Sequence, residues 1–132
     1  MRVMTDTNIL FSALLFPESK PAKALFYVTE RHNLVLCDYI IAELRSVVCR
    51  KRPDLLADID VLLAKLPHEL IPAPRRPSKL ISDPKDHPIL NAAIAADVDV
   101  IISGDRHFRE LQMARPKTMS AAEFLDEVIR AD

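Results

Sequence analysis

The chain has 132 residues, of which 49% are hydrophobic and 28% charged; its formal net charge is -1 and it contains a single glycine. One glycine excludes the P-loop and the dinucleotide-binding fingerprint, which need several glycines close together, and Cys37 and Cys49 without a Cys/His cluster exclude a structural zinc site. A near-neutral balance leaves a nucleic-acid partner open, with the condition that any basic surface is local.

The length predicts one domain over residues 1–132. "MRVMTD" reads as a short strand ending in an acid, and Asp6 argues against a signal peptide. The longest apolar stretch, Ile9 to Phe16, is too short to span a bilayer. The expected location is therefore the cytoplasm, with no membrane partner and with two buried, reduced thiols. Ile9 to Leu15 predicts one or two helical turns stopped by Pro17, and Pro21 opens a helix through Ala24, Leu25 and Val28 to Arg31. "LVLC" (Leu34 to Cys37) predicts an apolar strand, with Asp38 as N-cap of a helix carrying Ile40, Ile41, Leu44, Val47 and Val48. Pro53 and Asp54 start another helix, with Leu55, Leu56, Ile59, Leu62, Leu63 and Leu66 on its apolar positions.

Glu69 to Ile71 predicts a short strand, and the proline-rich, basic residues 72–84 predict a loop. A helix over Ile89 to Ala96 follows, with Ile89, Leu90, Ala93 and Ile94 as its apolar face. Val98 to Ile102 is nearly all apolar, as in a buried parallel strand. Lys117 to Met119 predicts a last short strand. "SAAE" (Ser120 to Glu123) has capping-box spacing and opens a helix through Phe124, Leu125, Val128 and Ile129. With no tryptophan and few aromatics, the core is expected to be built from Leu, Ile, Val and Ala. Strand–helix alternation with apolar central strands predicts an α/β fold with a parallel sheet.

In such sheets ligands bind beyond the carboxyl ends of the strands, where the strand order reverses. Asp6 and Asp105 each lie just past an apolar strand. Each also has a plain structural use: Asp6 as N-cap or turn residue, Asp105 as cap of the segment Arg106 to Leu111. Glu43 flanks the apolar stripe of its helix rather than sitting opposite it, the far face being taken by Ala42 and Ser46, and alone reads as a solvated border residue. Asp86 lies in line with Ile89, Leu90 and Ala93, so even as an N-cap it points toward the sheet. Carboxylates gathered this way repel one another and take up protons unless a cation joins them. Mg²⁺ or Mn²⁺ suits an oxygen-only set, and such ions activate water and stabilise displacement at a phosphodiester.

Four blocks, "VMTDTNILFSALL", "YIIAELRSVV", "DPKDHPILNAAIAADVDVIISGDRHF" and "MSAAEFLDEV", occur in the order and spacing of a known family. Over essentially its whole length the chain resembles the PIN-domain ribonucleases, specifically the VapC-like toxins of toxin–antitoxin pairs. The resemblance implies a three-layer fold with a central parallel sheet of about five strands flanked by helices. It also implies a Mg²⁺- or Mn²⁺-dependent endoribonuclease that leaves 5′-phosphate and 3′-hydroxyl ends, forms a homodimer and is held by an antitoxin. The family's four acids fall on Asp6, Glu43, Asp86 and Asp105, as catalytic and metal-binding residues. The third is placed on Asp86 by its distance to Ile89 and Ala93, with Asp83 as the other candidate. The family's small polar residue after the first acid falls on Asn8, and its hydroxyl residue before Gly-Asp on Ser103; both are expected to orient ligands or a water.

Phosphate contacts need basic partners, for which Arg45, Arg50, Lys51, Arg52, Arg75, Arg76, Lys79, Arg106 and Arg109 are the candidates, each also readable as a solvated surface residue. His107 reads as a surface histidine rather than a general base. Gly104 is expected to allow a tight exit from its strand and a close backbone approach at the floor of the acidic pocket. The alternative reading is a non-catalytic RNA- or partner-binding module on the same fold. Clustered negative charge speaks against it, since such charge opposes phosphate.

Overall fold

The computed structural model describes residues 1–73, 87–110 and 113–132. The elements are β1 (Arg2–Thr5), α1 (Thr7–Leu15), α2 (Lys20–Arg31), β2 (Asn33–Cys37), α3 (Asp38–Lys51), a 3₁₀ turn (Pro53–Leu55), α4 (Leu56–Lys65), β3 (Glu69–Ile71), α5 (His87–Ala95), β4 (Val100–Ile102), α6 (Arg106–Arg109), β5 (Lys117–Met119) and α7 (Ala121–Ala131). All four strand pairings are parallel, in the order β3-β2-β1-β4-β5. Helices complete a three-layer α/β arrangement, as expected. The chain builds outward from β1 to β2 and β3, then crosses to the other side of β1 for β4 and β5. The order therefore reverses between β1 and β4, where Thr5 pairs with Ile102.

The three central strands are buried almost throughout, while β3 and β5 at the edges are largely open. Their apolar runs follow from burial on both faces. The core is mainly aliphatic, as composition predicts, but its two largest fully buried side chains are Phe108 and Phe124. A few aromatics therefore go where volume is needed most. Both thiols are expected from the sequence to be buried; Cys37 is, whereas Cys49, on α3, is exposed. No helix among the described residues is long and apolar enough to cross a membrane.

Local signals set most boundaries. Ser19 caps α2, accepting from the Ala22 amide, and Pro21 sits in the first turn. Ser120 and Glu123 form the complete reciprocal capping box at α7. Asp38 differs from expectation: Cys37 occupies the N-cap position of α3, and the Asp38 carboxylate instead accepts from the Ala73 amide at 2.9 Å, just beyond β3. The segment starting at Pro53 begins as a 3₁₀ turn before α4, a common form for the start of a helix. Leu62, Ile94 and Ile129, expected on apolar faces, are exposed. Each stands one place from a buried residue (Leu62 before Leu63, Ile94 after Ala93 and Ile129 after Val128), so each is turned about 100° from the inward direction.

The left-handed backbone position is not at the glycine. Asp97 has φ 60°, directly after α5, and the Val98 amide closes on the Ala93 carbonyl at 2.9 Å. This is the helix-ending geometry usually given to glycine, and aspartate tolerates it better than most residues. It aims the chain from α5 back into β4.

Candidate functional site

Asp6 is the first residue beyond β1, and its amide still donates to the Ile102 carbonyl at 3.1 Å. It caps α1 with extended backbone angles, and its Oδ1 accepts from the Ile9 amide at 2.8 Å. The capping use expected of this residue is thus real. The other oxygen, Oδ2, accepts a hydrogen bond from the hydroxyl of Ser103. Asp6 is only 5% exposed, and burial pushes its carboxyl above the ordinary aspartate range. The hydrogen bonds from Ser103 and Ile9 oppose that shift, while the charges of Asp105 and Glu43 add to it. Three of the predicted acids therefore lie within electrostatic reach of one another, at the reversal of strand order.

Ser103, the first residue past β4, is fully buried. Its amide donates to Met119 at 2.8 Å, fixing it against β5. Its Oγ donates to Asp6 and accepts from the Asp105 amide at 2.9 Å. One hydroxyl thus links the ends of two strands and couples the first acid to the turn that carries the last. Asp105 is half-buried and immediately precedes α6, where its carbonyl accepts from the Arg109 amide at 3.2 Å. Gly104 between them is exposed; a Cβ built there meets nothing within 4 Å, and its φ is not left-handed. The tight exit expected of this glycine is not what the backbone requires.

Glu43 projects from α3, half-buried, and its Oε2 accepts from the Tyr39 hydroxyl at 3.0 Å. Tyr39 is not among the residues singled out from the sequence, although its spacing of one helical turn from Glu43 is visible there. Asn8 is exposed in the first turn of α1. The hydroxyls of Thr5 and Thr7, on either side of Asp6, are buried without a hydrogen-bond partner among the described residues. Asp86 and Asp83, together with Arg75, Arg76 and Lys79, lie outside the described residues, as does the side chain of His107. Among the described residues no three acidic, histidine or cysteine side chains converge closely enough to form a metal-binding group.

Several of the basic candidates already have acidic neighbours. Arg45 pairs with Asp60, Arg52 with Asp54 at 3.1 Å, Arg109 with Glu123 at 3.0 Å and Arg106 with Glu110 at 3.8 Å. The Lys51 ammonium lies 5.7 Å from the centre of the Phe11 ring. These contacts support the reading of a solvated surface more directly than that of a phosphate track.

No match was found among curated proteins. The fold is similar to that of a chain in the crystal structure of VapBC2 from Rickettsia felis bound to a DNA fragment from their promoter. That likeness has a TM-score of 0.69 at 17% identity, covering 91% of this chain and 98% of the other. Residues 2–107 match the PIN domain family, a span that runs from β1 through both strand ends carrying Asp6 and Asp105. With most of its length inside that match, the chain belongs to the PIN-domain family.

Proposed function

We propose that the protein is a Mg²⁺- or Mn²⁺-dependent endoribonuclease and the toxin of a toxin–antitoxin pair, with Asp6, Glu43, Asp86 and Asp105 as its metal-binding and catalytic acids. The observation that carries this reading is Asp6, a buried carboxylate pushed toward its neutral form and flanked by two further acids. Its donor chemistry fits a hard divalent cation: oxygen atoms only, with like charges that a cation would relieve. When bound, such an ion supplies an activated water and charge stabilisation at the phosphodiester.

The chain's own residues orient and confine. Ser103 holds one oxygen of Asp6 and the amide of Asp105, which sets the spacing of the two strand-end acids. The Ile9 amide at the start of α1 holds the other oxygen of Asp6. Asn8, exposed in the same turn, is assigned to a substrate or water contact, and the open space at Gly104 to the approach of the RNA backbone. The likeness to a VapBC2 chain supports an antitoxin partner, and family membership supports a homodimer and cytoplasmic action.

The experiment is cleavage of structured RNA by the purified protein with Mn²⁺, with and without chelator. Cleavage is expected only with metal, and Asp6→Asn and Asp105→Asn are expected to abolish it. Cleavage that survives chelation or both substitutions would overturn the metal mechanism. RNA binding without cleavage, and without divalent-ion affinity by calorimetry, would establish the non-catalytic module instead.

A further inference from the structure

Two of the acids differ in how they are held. Asp6 is short, buried and fixed at both oxygens by Ser103 and the Ile9 amide. Glu43 has one more methylene, stands half-exposed on α3 and would sample several rotamers if nothing restrained it. Its restraint is Tyr39. The ring of Tyr39 is partly buried against the core in the first turn of α3, directly after β2, and its hydroxyl reaches the Glu43 Oε2 at 3.0 Å. A rigid aromatic anchored in the core and tied to a longer, flexible carboxylate gives that carboxylate a fixed direction.

We propose that Tyr39 is a positioning residue: its hydroxyl holds one oxygen of Glu43 so that the carboxylate meets a divalent cation already oriented. This rests on the metal-dependent reading above, and it adds a residue that acts on the cation through Glu43. A bond one helical turn apart also steadies a helix, so the test must separate orientation from stability.

Tyr39→Phe keeps the ring and removes only the hydroxyl. Mn²⁺ affinity of the full chain, measured by calorimetry, is expected to fall roughly tenfold, the lower end of what outer partners of metal ligands command. In a Glu43→Gln background the same substitution is expected to cost no further affinity, as required of groups that act as a unit. Unchanged Mn²⁺ affinity in Tyr39→Phe, with or without a lower Tm, would overturn the proposal, as would an equal loss in the Glu43→Gln background. Should Tyr39→Phe fail to fold, Glu43→Asp makes the test from the other side, since it keeps the charge and withdraws it from the hydroxyl; wild-type Mn²⁺ affinity in that variant overturns the proposal. A wild-type protein that binds no Mn²⁺ instead overturns the function proposed above, an outcome visible before any variant is compared.

Discussion

The two ends of the parallel sheet treat charge in opposite ways. At the amino ends of the strands, opposite charges are paired. Arg2 reaches Glu69 at 2.7 Å and the Ala96 carbonyl at 2.9 Å, and its amide donates to Asp99 at 2.8 Å. Arg115 bridges Asp97 at 3.1 Å and Asp99 at 3.0 Å. His32 lies between the N-terminal amine at 3.0 Å and Asp132 at 2.8 Å, with Tyr27 donating to the same Asp132 oxygen. The carboxyls respond accordingly: the Arg2 side chain holds Glu69 below its ordinary range, and the Arg2 amide, followed by Arg115, does the same for Asp99. A cavity of about 380 Å³ opens at this end, but its polar lining is already engaged, Arg2 with Glu69, His32 with Asp132 and His68 with the Leu66 carbonyl.

At the carboxyl ends the charges are alike, and Asp6 is pushed the other way. One end thus uses electrostatics to hold the fold, while the other keeps an acid away from water, with like charges beside it. Retaining a buried carboxyl with other acids beside it costs stability, which is why such an arrangement points to a function rather than to structure.

The largest expected effect tests the acidic end directly. Asp6→Asn should lower RNA cleavage by at least the roughly hundredfold that outer partners of a metal can already command. Without metal it should not lower Tm at neutral pH. Because burial raises the folded pKa of Asp6, the stability tied to its protonated form is complete below about pH 4 and is lost as pH rises through the raised value. Thermal melts across pH should therefore show Asp6→Asn gaining on the wild type as pH rises; a constant gap would refute the assignment of burial as the dominant cause.

Ser103→Ala comes next. It leaves Asp6 buried with one partner fewer and unties the Asp105 amide, so about 1–3 kcal/mol of stability should be lost, with cleavage falling roughly tenfold or more. A denaturant titration and a rate measurement check both; Ser103→Thr, which keeps the hydroxyl, should recover most of each.

Arg2→Ala tests the paired end. It should weaken the fold slightly and leave cleavage unchanged, and the loss should shrink in high salt. The Arg2 side chain lowers the folded pKa of Glu69, so the contribution of that pair is present above about pH 4 and disappears as pH falls through the depressed value. The variant should therefore lose less stability in acid than the wild type. A cleavage defect in Arg2→Ala would break the division between the two ends.

Gly104→Ala should have the smallest effect on stability, within about 0.5 kcal/mol, because its Cβ enters open space. Gly104→Val is the sharper probe of the approach assigned to RNA: reduced cleavage at unchanged Tm supports that role, and unchanged cleavage removes it.

Much of the fold was legible because its signals are local. Ser19 and Ser120 declare helix starts, the apolar runs of β1, β2 and β4 declare buried strands, and acids stand just past β1 and β4. The Tyr39–Glu43 contact was equally local and was overlooked because neither residue looked exceptional alone. Asp38 was misassigned because a capping aspartate and one bonding to the distant Ala73 amide have the same local sequence. The sequence by itself determined the order of the elements and the kinds of groups at the strand ends, since helix caps and hydrophobic periods act over a few residues. Only the tertiary structure decided that Ser103 would hold Asp6 across 97 positions, that Asp97 rather than Gly104 would take the left-handed turn, and that burial would push Asp6 toward protonation. Those outcomes depend on strand pairing and exclusion of water, which no short stretch of chain contains.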